Sequence, residues 1–202
     1  MVLEANIQKI NPFVFLLLYN CTYFNPHKNV FNKLIIFKLI VGGFKISKRL
    51  FLKHRIDDVW KVISSKEALE LFHPYCLQNR VVSWDDIKVD EIIYLNGLTF
   101  VREFTLWNPN HGFELTIGKR DGKKSKVKWK ITRSTSGCQI SITVWPYKSN
   151  KVPRVLYPLV SFFVVRPMLK KYLGSVLMGL DFYLTNKEIV KKNQFGKHPW
   201  FS

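Results

Sequence analysis

The sequence is short of acids, cysteines and catalytic signatures. Lys and Arg number 32 against 14 Asp and Glu, for a formal net charge of +18. An imbalance of that size implies an anionic counterpart: nucleic acid, an acidic membrane surface or an acidic partner. The three cysteines, Cys21, Cys76 and Cys138, lie far apart with no C-x-x-C spacing. That argues against a disulfide framework and makes a reducing, cytoplasmic compartment the default. The five histidines, His27, His54, His73, His111 and His198, show no H-E-x-x-H or other metal-ligand spacing. No G-x-S-x-G elbow, P-loop or dinucleotide fingerprint occurs. No residue is therefore assigned a catalytic role, and no metal or cofactor is expected. The apolar runs at 12–19 and 34–44, the second broken by Lys38, fall short of the roughly 18 residues of a spanning helix. With no positive n-region and no clear cleavage site, the start is not read as a secretory signal.

What the chain does have is core-forming material: 47% hydrophobic and 15% aromatic residues in 202. That length suits one domain with an appendage. The pattern divides it into an N-terminal extension (1–43), a folded domain (44–190) and a C-terminal tail (191–202). The extension reads either as an interfacial or partner-binding segment or as a loosely packed appendage. The tail carries Phe195, His198, Trp200 and Phe201, which is unusual for a disordered end, so some of its rings are expected to dock on the body.

The most organised stretch runs from Met168 to Val190. Leu169, Tyr172, Leu173, Val176, Leu177, Leu180, Tyr183 and Leu184 recur at three- and four-residue steps, one apolar face of a helix. Upstream, residues 46–52 suit a first strand. Asp57 or Asp58 is positioned to cap a short helix, and Ser65 a second that ends at His73-Pro74. Strand-like segments follow at 79–84, 91–95, 98–107, 112–118, 124–133 and 138–147. Asn96-Gly97, Asn108-Pro109-Asn110, Asp121-Gly122 and Ser136-Gly137 turn the chain between them, which predicts an antiparallel meander.

Alternation is clearest at 124–133, where Lys124, Lys126, Lys128 and Lys130 face one way and Val127, Trp129 and Ile131 the other. Phe113, Leu115 and Ile117, and then Ile140, Ile142 and Val144, repeat that inward apolar row. A sheet with one wet and one dry face needs a cover, and the long helix is the natural one.

This order resembles the helix-grip fold of the SRPBCC superfamily, the group of START domains, Bet v 1-like proteins and polyketide cyclase-like proteins. The carriers are Ile46 to Leu52 followed by Ile56-Asp57-Asp58-Val59-Trp60-Lys61-Val62-Ile63-Ser64, then Leu71-Phe72-His73-Pro74, Val81-Val82-Ser83-Trp84, and Asp90 to Arg102. The resemblance covers about residues 44–190 and points to an uncharacterised branch. It implies an α+β domain: a curved antiparallel sheet of six to seven strands wrapped on a long C-terminal helix, with two short helices after the first strand. It also implies a hydrophobic cavity between sheet and helix that binds or transports a lipid or other apolar small molecule.

The inward rows name cavity candidates: Tyr94, Phe100, Arg102, Phe104, Phe113, Leu115, Trp129, Ile142, Tyr172, Leu173 and Val176. Arg102 shares a face with Leu98, Phe100, Phe104 and Leu106. A guanidinium there must anchor an anionic ligand group or pair with a protein acid. Gly174 and Gly179 leave room either for a ligand or for close packing. The row Lys124, Lys126, Lys128 and Lys130 suits anionic headgroups, making an anionic membrane surface a candidate partner and peripheral membrane a candidate location. A nucleic-acid partner fits the charge, but the aromatic of that strand, Trp129, points away from the lysines, and a stacking platform needs exposed rings. A cyclase or hydrolase using the same cavity is the other alternative. Nothing in the pattern sets an oligomeric state.

Overall fold

The computed structural model describes residues 44–148, 153 and 156–202. The extension at 1–43, with Cys21, the run at 12–19 and all of the run at 34–44 but Phe44, lies outside the described residues. Seven strands form one sheet: β1 (Ile46–Leu52), β2 (Cys76–Trp84), β3 (Lys88–Tyr94), β4 (Thr99–Asn108), β5 (Gly112–Gly118), β6 (Lys124–Ser134) and β7 (Gly137–Trp145). Their order is β1-β7-β6-β5-β4-β3-β2, antiparallel throughout. The meander from β2 to β7 is the one the turn residues predict, with β1 added to its far edge. Consecutive in sequence, β1 and β2 stand at opposite edges, and two short helices join them: α1 (Ile56–Ile63) and α2 (Leu69–Phe72). After β7 come α3 (Tyr157–Val160), a π-helical turn (Ser161–Val165) and α4 (Arg166–Asn186), whose inner face lies on the apolar side of the sheet.

Local chemistry explains most boundaries and corrects two. Asp57 and Asp58 stand in the first turn of α1, where their charge suits the helix dipole, but Arg55 holds the cap position and no side chain caps the helix. The Ser65 hydroxyl donates backward to the Val62 carbonyl instead of capping α2, which starts later, at Leu69. The long helix ends at Lys187, which takes the left-handed conformation (φ 59°, ψ 22°) that stops helices. On β4 a register shift between Phe104 and Leu106 reverses the alternation. Leu106 therefore faces solvent, against the sequence expectation, and Trp107 packs on the core in its place.

One core fills the space between sheet and helix. Toward α1 it is a stack of indoles and phenyls. Trp60 meets Trp107 edge-on at 5.3 Å, Trp107 stacks on Phe113 at 5.5 Å, and Phe113 leans on Trp129 at 5.6 Å. At this end Gly179 explains itself. A Cβ there would come within 2.0 Å of the Phe72 carbonyl oxygen, so α4 touches the end of α2 through bare backbone. Gly174 has no such constraint, since its added Cβ would only graze the Lys48 stem at 3.7 Å.

Candidate functional site

The other half of the interior is polar and is organised by His73. The residue before a proline is pushed out of the helical region, and His73, followed by Pro74, is extended (φ −92°, ψ 110°) at the end of α2. That conformation directs its ring inward, where it is buried. The Tyr75 backbone N–H donates to Nδ1 at 3.2 Å, so Nδ1 carries no proton and Nε2 must. Nε2–H then donates to the Tyr172 hydroxyl at 2.8 Å, which lies 3.1 Å from Tyr94 Oη. The two phenols share one hydrogen bond, in which either can donate. Whichever donates, the hydroxyl proton of the other has no acceptor paired with it among the described residues.

Burial, helped by the nearby Arg102 charge, pushes the His73 pKa down to about 3. Burial raises the Tyr94 and Tyr172 hydroxyls and pushes the Cys76 thiol up to about 12. The imidazole is thus neutral and the phenols and the thiol are protonated near neutral pH: hydrogen-bonding groups, with no nucleophile among them. Cys76 and Cys138 are free and buried.

Arg102 belongs to the same interior. It stands opposite Asp90 in the β3–β4 register, and its guanidinium grips that carboxylate with both Nε, at 2.6 Å, and Nη2. The Asp90 side chain is fully buried and that of Arg102 is 9% exposed. Burial opposes the Arg102 charge, but the Asp90 carboxylate outweighs it and raises the pKa. Of the two uses open to this arginine, the structure displays the internal pair.

Over the hydroxyl chain lies the tail. Val190 N–H donates to the Leu71 carbonyl and Asn193 N–H to that of Pro74. The Tyr75 hydroxyl reaches both Ser175 Oγ (3.0 Å) and the Gly196 carbonyl (3.1 Å). His198 is buried, with Nε2 3.0 Å from the Met168 carbonyl, and burial lowers its pKa. Phe201 ends the sequence of contacts. Its ring lies 4.4 Å from Tyr94, stacked, and 4.6 Å from Tyr172. The Asn96 side chain closes over it by donating to the Trp200 carbonyl.

The eleven cavity candidates divide between the two halves of the core, with Phe104, Phe113 and Trp129 in the aromatic stack and Tyr94, Arg102 and Tyr172 around His73. Tyr94, Phe113, Leu115, Trp129, Ile142, Leu173, Val176 and Arg102 are buried, while Phe100, Phe104 and Tyr172 are half-buried against them. Two hollows lie elsewhere, both open to solvent: about 230 Å³ near His111 and Lys128, and about 390 Å³ between His54 and Arg133. Core side chains and the Phe201 ring pack between sheet and helix. Sequence reasoning missed Tyr75, Ser175 and the inward course of His198. The pre-proline histidine and the aromatic tail were the available signals.

The lysine row lies on the opposite face, as the alternation predicts, but it is not a bare cationic strip. Lys124 pairs with Glu103, and Lys126 and Lys128 share Glu114 at 2.7 and 2.9 Å. These bonds hold both carboxyls below their usual range. Lys130 has no ion pair among the described residues. Trp145 opposes Lys126 across the sheet, 6.0 Å beneath its ammonium.

A seven-stranded antiparallel sheet closed by a long C-terminal helix, with two short helices after the first strand, is a helix-grip fold. Solved structures share that fold with the chain. TTHA0849 from Thermus thermophilus superposes with a TM-score of 0.58 at 13% identity, over 71% of this chain and 99% of that one. Ara h 8.0201 gives 0.54 at 14%, over 71% and 98%. The di-domain ARO/CYC StfQ of the steffimycin biosynthetic pathway gives 0.55 at 11%, over 71% of this chain and 51% of StfQ, so the chain spans about half of that protein. No protein-family model matches the sequence, and no curated protein matches it.

Proposed function

We propose that this protein binds a hydrophobic small molecule or lipid between sheet and α4, in the seat its own Phe201 occupies. One observation carries the reading: an aromatic ring of the tail lies against Tyr94 and Tyr172, over a hydroxyl chain with one phenol proton unclaimed. A ligand that displaces Phe201 gains apolar walls and one hydrogen-bond donor for a carbonyl or hydroxyl oxygen, the usual composition of a small-molecule site. An anionic membrane surface is the proposed place of loading or release. Native mass spectrometry of protein purified from cells tests the reading. A co-purifying apolar molecule that is lost on Tyr94→Phe/Tyr172→Phe substitution supports it. An empty protein that takes up no lipid extract, in the wild type or in Phe201→Ala, refutes it.

The second reading is a cyclase-type enzyme. What favours it is the same unclaimed phenol proton, because a buried phenol donor polarises a carbonyl during ring closure, and the fold is shared with the di-domain ARO/CYC StfQ. Turnover of a bound polyketone, abolished by Tyr94→Phe with binding retained, would distinguish an enzyme from a carrier.

A further inference from the structure

The helix that grips the sheet begins with a segment that buries little, with Val165 its one hydrophobic side chain packed on the core among the described residues. From Leu156 to Met168 only Ser161 is buried. Two adjacent rings, Phe162 (44% exposed) and Phe163 (47%), stand out edge to face at 5.1 Å. The π-helical turn explains their position. In an unbroken α-helix, Phe162 would fall two turns before Leu169, on the same inward face. The wider turn at Ser161–Val165 breaks that phase, and both rings leave the face that Leu169 and Leu173 continue.

Cations surround them. The Arg166 guanidinium lies 5.5 Å over the Phe162 ring and the Lys148 ammonium 5.8 Å over Tyr157. Lys170 and Lys171 follow on the next turn, and Tyr147, 40% exposed, is tied to the segment through the Tyr157 hydroxyl. No Asp or Glu occurs between Asp121 and Asp181, a stretch holding twelve Lys and Arg. The lysine row of β6, by contrast, is largely matched by Glu103 and Glu114. Both rings project from the surface and line neither of the two hollows described above; the segment is a ridge that would enter something deformable. No described helix is long and apolar enough to cross a membrane, which fits shallow insertion.

From this geometry we infer that Phe162 and Phe163 are the membrane anchor of the protein. They insert among the acyl chains of an anionic bilayer while Lys148, Arg166, Lys170 and Lys171 meet its headgroups. The inference rests on the membrane-surface part of the function proposed above and moves the contact from the β6 lysines to the start of the gripping helix.

Flotation of the full chain with vesicles of phosphatidylcholine, with and without phosphatidylserine, tests it, with circular-dichroism melting as the check on folding. The wild type is expected to float with the anionic vesicles only. Phe162→Ser/Phe163→Ser should cut binding at least about tenfold with an unchanged melt, because both rings are exposed. Lys126→Ala/Lys128→Ala should change it much less. If the phenylalanine variant floats like the wild type and the lysine variant does not, this anchor is wrong and the membrane reading survives. A wild type that ignores anionic vesicles sinks both. Equal binding to neutral vesicles overturns the charge argument. A wild type that sediments as a dimer without lipid, made monomeric by the phenylalanine variant, assigns the ridge to a second copy instead.

Discussion

Arg102 and His73 are the two side chains whose substitution tells most about the interior. The Arg102–Asp90 pair is buried, bidentate and internal, so removing one member strands the other. Arg102→Met should cost about 3–5 kcal/mol in urea unfolding, and Arg102→Met/Asp90→Leu should recover most of it. A single variant of wild-type stability would mean that the guanidinium does not hold Asp90 in solution. His73 sets a pH dependence. Its folded pKa is near 3 against an ordinary 6.5, so the unfolded chain binds the proton first as pH falls. Stability from this group is complete above about pH 6.5 and declines toward pH 3, by at most about 1.4 kcal/mol per pH unit. His198, also lowered, adds in the same direction. Urea midpoints between about pH 7 and pH 5 should fall less steeply for His73→Gln than for the wild type; parallel slopes would contradict the assignment.

Among the elements, α4 and the tail decide whether the interior is open. Gly179→Ala places a methyl on the Phe72 carbonyl and should destabilise by about 1–3 kcal/mol despite the better helix propensity. Gly174→Ala meets only the Lys48 stem and should stabilise by up to about 1 kcal/mol. Thermal melts of the two should therefore move in opposite directions. The strands, their turns and the covering helix were legible because a single periodicity ran through each: period two in β5, β6 and β7, near 3.6 in α4. The bulge at Phe104–Leu106 was not, because alternation carries no mark of an inserted residue until the pairing is known. The Arg102 partner was hidden for a related reason. Asp90 precedes it by twelve residues and becomes its neighbour only through the β3–β4 register. The aromatic tail could be expected to dock, but its course under Asn96 to Tyr94 depends on contacts no local pattern encodes.

For the whole molecule, the charge of +18 adds self-repulsion to the compact state, which salt screens. The melting temperature should therefore rise from low salt to about 0.15 M, and a flat response would show that pairs such as those at Glu103 and Glu114 already neutralise the surface. A different consequence follows from the strand order. Ile46 pairs with Val144 and Leu52 with Cys138, roughly a hundred residues later in synthesis. At about 5–20 residues per second, β1 leaves the ribosome some 5–20 s before its partner exists. Through that interval the hairpins from β2 onward can close one upon the next, while the earliest strand waits as an unpaired edge and the last residues, Phe201 among them, are not yet made. β1 is taken up once β7 has emerged, and Phe201 follows later still. A nascent chain halted before β7 would be the form most in need of a chaperone.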